Sequence, residues 1–184
     1  MNDHLQQSAP SSAPELIPVL SKEAIHQKVV HLARRISSDY PNEHLLVIAV
    51  LKGAFIFLSD LIRQLSIPVE IDFIQLSSYG DNDTSCGDIL FCTNISADLK
   101  GKAVLVVEDI IDTGLTMTQL VKYLHLFEPK SVRVCTLIDK TERREISFEA
   151  DYVCHTVKSG FLVGYGLDYA EKYRNLPAIY DLKF

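Results

Sequence analysis

The chain has 184 residues, 47% of them apolar, and carries a formal net charge of −6 at pH 7. That length suits one domain burying about 70% of the surface its unfolded chain would expose. A negative chain without a Lys/Arg run is a poor nucleic-acid binder, because phosphate contacts supply most of that affinity; the longest apolar run, 45–51, is too short to cross a bilayer.

Residues 1–15 are polar and rich in Ser, Pro and Gln, and read as a disordered tail before a single domain at 16–184. Apolar residues at Ile25, Val29, Leu32, Ala33 and Ile36 predict a helix capped by Ser21. Residues 45–51 form a continuous apolar strand of the kind found inside parallel sheets. Lys52-Gly53 turns the chain into a helix over 54–65, and 69–76 is a second strand. The polar stretch 77–88, SSYGDNDTSCGD, is too long for a hairpin turn, and loops of that size are usually functional or mobile.

Strands follow at 89–95 and 104–107, then a helix over 115–127 and a strand at 132–138 that ends on Asp139-Lys140. Shorter strands are expected near 151–154 and 161–163. Strands alternating with helices predict an α/β fold, a mostly parallel sheet flanked by helices. Ligands collect in such folds where strand C-termini meet the next loop. Lys52-Gly53, the 108–116 turn and Asp139-Lys140 all sit at such places.

Cys86, Cys92, Cys135 and Cys154 form no C-x-x-C pair, and no basic, apolar leader opens the chain. Free thiols in a reducing cytoplasm are expected, not disulfides or zinc. The six histidines show no metal-binding spacing.

Most informative is VLVVEDIIDTGLTMT at 104–118. An aliphatic strand meets Glu108 and Asp109, then Asp112-Thr113-Gly114 opens a helix. Backbone N–H groups at such a turn, backed by the helix dipole, suit a phosphate dianion. Adjacent carboxylates grip sugar hydroxyls, so the pair points to a phosphorylated ribose. An acidic protein binds such a substrate when a divalent cation carries the local charge, so Mg2+ is expected. Simple capping by Asp112 or Thr113 would need neither the acidic pair nor the Thr-Gly-x-Thr turn. A P-loop reading lacks its upstream G-x-x-x-x-G-K, and a dinucleotide fold lacks G-x-G-x-x-G.

The segment resembles the ribose-phosphate signature of the type I phosphoribosyltransferases. LKGAFIFLSDL (51–61), SSYG (77–80) and GFLVGYGLDYAEKYRNLP (160–177) are similar to segments of the hypoxanthine-guanine branch, in the same order. The resemblance implies the type I phosphoribosyltransferase fold with a small hood built from N- and C-terminal pieces. It implies a Mg2+-dependent transfer of 5-phosphoribosyl 1-pyrophosphate onto a 6-oxopurine, in a cytoplasmic homo-oligomer.

By the same resemblance Glu108 and Asp109 hold the ribose hydroxyls, directly or through the metal. Ile110, Asp112, Thr113, Gly114, Leu115 and Thr116 cradle the 5′-phosphate, and Asp112 takes the proton from purine N7. Lys52, Gly53 and Arg174 contact pyrophosphate, next to a Leu51-Lys52 peptide that is often cis in the family. Asp168 is a further metal ligand beside the purine. Lys140 selects a 6-oxo group and rejects adenine by leaving its amino group unmatched. Phe161 stacks on the base, the Leu162 backbone bonds its edge, and Ser78-Tyr79 begin a mobile lid at 77–88 that excludes water.

The sequence departs from the family pattern in two places. Thr84-Ser85-Cys86 stand where the lid commonly carries a lysine, and Gly160 stands where a lysine often precedes the stacking phenylalanine. The base preference thus stays open between hypoxanthine, guanine and xanthine. An RNA-binding regulator on the same fold is a further alternative, and the negative charge argues against it.

Overall fold

The apolar run Leu45–Leu51 is strand β2, buried along all but its last residue. A strand hidden on both faces needs cover on both. The computed structural model, which describes residues 14–78, 89–91 and 95–184, supplies that cover. In chain order the elements are β1 (Glu15–Leu20), α1 (Lys22–Asp39), β2, α2 (Phe55–Ile62), β3 (Val69–Ser78) and β4 (Ile89–Phe91), then β5 (Ala103–Ile111), α3 (Leu115–His125), β6 (Ser131–Lys140), β7 (Tyr152–Val157), β8 (Leu162–Val163) and β9 (Ile179–Lys183).

Six strands pair in the order β4-β3-β2-β5-β6-β7, all parallel except the β3/β4 pair. The strand period of two divides the core cleanly. Leu45, Val47 and Ala49 join Leu105 and Val107 in one cluster with α1 and α2. Leu46, Ile48 and Val50 join Val104 and Val106 in a second cluster with Met117, Leu120 and Leu124 of α3. The expected α/β sheet, flanked by helices, is therefore the observed one.

A second, antiparallel sheet, ordered β1-β9-β8, forms the hood from the two ends of the described chain. Neither β1 nor β9 was expected as a strand. Glu15, placed in the tail by composition, pairs with Lys183. Pro18 hides β1 from a propensity reading, yet β1 is an edge strand, where a missing N–H breaks no internal ladder.

Ser21 caps α1 as expected, its hydroxyl accepting from Ala24 N–H at 3.2 Å. β5 corrects another expectation. It continues past Val107 to Ile111, so Glu108 and Asp109 lie within the strand and not beyond it. The ladder to β6 holds them there, with Glu108 opposite Thr136 and Ile111 opposite Asp139. α2 ends at Ile62 and α3 at His125, short of the expected 65 and 127. β4 is described over Ile89–Phe91; residues 92–94 of the expected strand lie outside the described residues, and Ile95 is not in a strand. Ser78 closes β3, whereas Tyr79, the rest of the proposed lid to residue 88 and residues 1–13 of the tail lie outside the described residues. Among the described residues no helix is long and apolar enough to cross a membrane.

Candidate active site

Parallel pairing of β2, β5 and β6 brings Leu51-Lys52, Glu108-Asp109 and Asp139-Lys140 to one end of the sheet. A cavity of about 260 Å³ there is lined by Glu108, Ile111, Asp112, Thr113, Gly114 and Thr116. A second, of about 210 Å³, is lined by residues that include Asp109, Lys140, Phe161, Leu162 and Asp168. Ile110 and Asp112 line both. The residues expected to bind sugar phosphate and those expected to bind purine therefore form neighbouring compartments with a shared wall.

The turn between β5 and α3 depends on Gly114, at φ +85. A Cβ there would meet Ile146 O and Phe148 Cβ at 3.1 Å, so the backbone conformation favours glycine and the space around it is tight. Thr113 Oγ1 accepts from Leu115 N–H at 3.3 Å, and Thr118 Oγ1 donates to Gly114 O at 2.8 Å. The first turn of α3 thus faces the cavity with its backbone already shaped.

The acidic pair is unequal. Glu108 is 6% exposed. Burial, followed by the charge of Asp109, holds its carboxyl well above the usual carboxylate range. Glu108 Oε1 accepts from Asp109 N–H at 3.0 Å, and Asp109 Oδ1 from Ile110 N–H at 2.8 Å. Asp109 also packs against Gly53, which follows the cis Leu51-Lys52 peptide. Gly53 is in turn crowded from behind, since a Cβ on Gly166 would fall 2.2 Å from Gly53 O.

Asp112 faces cations on one side. Lys140 Nζ and Arg143 Nη1 each lie 3.6 Å from Oδ2. Oδ1 is buried with no hydrogen-bond partner among the described residues. Lys140 itself is only 9% exposed. Phe161, by contrast, is 46% exposed, its ring edge-on to Tyr169 at 5.5 Å, so it is no core aromatic. Leu162 is buried beside it.

Asp168 and Arg174 belong to one loop and pair with each other at 2.8 Å. Arg174 Nη1 also donates to Gly166 O at 2.8 Å, and its Nε is buried without a partner among the described residues. Lys52 Nζ reaches Glu171 across the gap at 3.2 Å. Among the described residues, no three His, Cys, Asp or Glu side chains converge to hold a metal ion. Asp109 and Asp168 nevertheless line one cavity. That donor set fits magnesium, which commonly takes one or two carboxylates and completes its shell with water and substrate oxygens.

Two arginines in the segment after β6 escaped the sequence reading. Arg144 Nε donates to Asp112 O at 2.9 Å, and Nη2 to Ile111 O at 3.3 Å and Lys140 O at 3.1 Å. Its guanidinium also binds Phe148 O and the Asp139 carboxylate. Arg144 so ties the sugar-phosphate turn to the end of β6. Arg143 adds the second cation facing Asp112. The only sequence signal was a basic pair shortly after Asp139-Lys140.

The family model for the phosphoribosyl transferase domain matches residues 19–170. The hypoxanthine-guanine phosphoribosyltransferase of Aquifex aeolicus is 46% identical over 163 residues, 88% of this chain and 92% of that protein. This chain belongs to the hypoxanthine-guanine phosphoribosyltransferase family. The hypoxanthine phosphoribosyltransferase of Haemophilus influenzae is 40% identical over 164 residues, again 88% of this chain and 92% of the relative. A crystal structure of a hypoxanthine-guanine phosphoribosyltransferase from Bacillus anthracis superposes with a TM-score of 0.87 at 43% identity, covering 94% of this chain and 100% of that one. The architecture described above is thus the type I phosphoribosyltransferase fold, hood included, and the chain is an enzyme of this transferase class.

Proposed function

We propose that the protein transfers the phosphoribosyl group of 5-phosphoribosyl 1-pyrophosphate to hypoxanthine, and to guanine, giving IMP or GMP and pyrophosphate in purine salvage. One observation carries the reading most: Asp112 stands in the shared wall of the two cavities, with a buried carboxylate oxygen that has no hydrogen-bond partner among the described residues, and Lys140 beside it.

In this reading the 5′-phosphate sits on the turn from Ile110 to Thr116 and the first N–H groups of α3. Asp109 and Glu108 hold the ribose hydroxyls. The raised affinity of Glu108 for its proton suits it to share a hydrogen with a hydroxyl. The purine stacks on Phe161 with its edge toward the Leu162 backbone, and Lys140 donates to the 6-oxo oxygen. Asp112 Oδ1 receives the N7 proton as the base attacks the anomeric carbon, whose transition state resembles an oxocarbenium ion. Lys52, the Gly53 backbone and Arg174 hold the departing pyrophosphate. Asp109 and Asp168, which line one cavity, would hold magnesium, with Glu108 reaching it through a ribose hydroxyl or water; the ion would neutralise the leaving group.

The domain is read as 16–184, with a water-excluding lid over 77–88 in which Ser78 and Tyr79 are the acting residues. Exposed Phe55, Ile71 and Phe73 form an apolar face beside Lys52, which we assign to contact between copies in a homo-oligomer. Free, buried Cys135 and Cys154 agree with a cytoplasmic site of action.

Initial rates with hypoxanthine, guanine, xanthine and adenine, each with magnesium and the pyrophosphorylated sugar, test the reading. Hypoxanthine is expected to react fastest or alongside guanine. A rate with adenine equal to that with hypoxanthine would end the case for Lys140 and for the assigned substrate.

A further inference from the structure

Phe161 presents a half-exposed ring, yet its backbone is fixed on both sides by β9. Its N–H donates to Asp181 Oδ1 at 2.9 Å, and its carbonyl accepts from Leu182 N–H at 2.8 Å. Asp181 stands opposite Leu162 in the β8/β9 ladder, so the carboxylate lies directly beneath the residue before that strand. We propose that Asp181 is a positioning residue for purine binding, holding the Phe161 backbone so that the ring stands ready for the base. The proposal rests on the reading of Phe161 as the stacking platform.

Three further observations support it. Gly160, at φ +117, leaves room for the carboxylate: a Cβ there would lie 3.1 Å from three of its atoms. That is the position where the sequence lacks the lysine often found in the family, so an acidic group fills space next to residue 160. Lys183 Nζ supplies a cation at 2.6 Å from Asp181 Oδ2. Phe184 packs edge-on against Tyr169 at 5.1 Å, and Tyr169 against Phe161, so the same stretch of chain also steadies the ring.

The charge balance agrees with the geometry. Burial works against ionisation of Asp181, but its bonds to Lys183 and the Phe161 N–H, with the charges of Lys183 and Lys140, leave the carboxyl below its ordinary value. The ionised carboxylate is the form that accepts from the Phe161 N–H. A platform ordered before binding spares the complex the entropy of ordering it, which is felt in affinity for the base and not in the chemical step.

The test compares Asp181→Asn, Asp181→Leu, Phe161→Ala and the double variant Phe161→Ala/Asp181→Leu in steady-state assays with magnesium. Leucine removes the acceptor, and KM for hypoxanthine is expected to rise about tenfold with kcat and KM for the sugar substrate within about twofold. Asparagine keeps an acceptor oxygen and is expected to restore most of the affinity. Serine, too short to reach the N–H, carries the same expectation as leucine should leucine prevent folding. In the double variant KM is expected to match Phe161→Ala alone, because Asp181 acts through that ring. Unchanged KM in Asp181→Leu with raised KM in Phe161→Ala would overturn the role of Asp181. So would additive effects, or a loss in kcat alone. Unchanged KM in Phe161→Ala would instead remove the platform itself, a distinct failure.

Discussion

Gly53 and the Asp109 carboxylate share one space: a Cβ built on Gly53 would sit 1.5 Å from Asp109 Oδ2. The loop after β2 and the acidic pair of β5 are thus in register through the absence of a side chain. Gly53→Ala must push Asp109 or the loop aside. A displacement of about 1 Å in a positioned site lowers rate by roughly 100-fold. That loss in kcat/KM for the sugar substrate is the expected outcome, measured by initial rates. Activity near the parent's would mean that Asp109 can relocate without consequence.

Asp112→Asn keeps the size of the side chain and removes its basicity. General base catalysis contributes about 100-fold or more, so kcat is expected to fall by at least that factor. Binding of the sugar phosphate, followed by calorimetry, should persist, because the turn backbone is untouched. Full turnover in the variant would remove Asp112 as the acceptor of the purine proton.

Arg144→Met strips partners from the carbonyls of Ile111, Asp112, Lys140 and Phe148 and from the Asp139 carboxylate. The side chain is 19% exposed, so water replaces some of these bonds. The expected loss is about 2 kcal/mol, or roughly 4–8 °C in Tm for a chain of this size. Activity should fall further than stability, since the turn and Lys140 lose their common tether. Thermal melts beside kinetics separate the two effects.

Glu108 gives the unliganded protein a pH dependence whose sign follows from its raised pKa. Below the ordinary carboxyl range both folded and unfolded chains hold the proton, and burial is harmless. As pH rises the unfolded chain ionises freely while the folded one resists, so stability drains away until the folded pKa is passed. Glu108→Gln does not titrate. Its advantage in Tm over the parent is expected to grow from pH 5 to pH 8, with lowered transferase activity. A constant difference across that range would place the Glu108 carboxyl at its ordinary value.

What could be read from the chain and what could not differ by distance along it. Glu108, Asp112 and Gly114 lie within one strand-turn-helix unit, where local periodicity and turn chemistry suffice. Lys140 and Lys52 were reachable because parallel strands carry their C-terminal loops to a common edge. Arg144 and Asp181 were not, because the partners that tie them to the site, Asp112 O and the Phe161 N–H, lie 32 and 20 residues away and only tertiary register brings them together. The hood strands β1 and β9 escaped because one carries a proline and both are short. The strand over Glu108-Asp109 was cut too early because two carboxylates look like an ending, and the ladder to β6 overrides that preference.

β9 is the middle of three hood strands, so among the described residues β1 and β8 each pair with it and not with each other. Deleting 179–184 would remove the strand that holds the Phe161 backbone, while Lys140 and the turn from Asp112 to Thr116 belong to the other sheet and to α3. In the proposed reading the base is therefore gripped from two sheets at once, its 6-oxo edge by the central one and its face by a clasp that the hood holds in place.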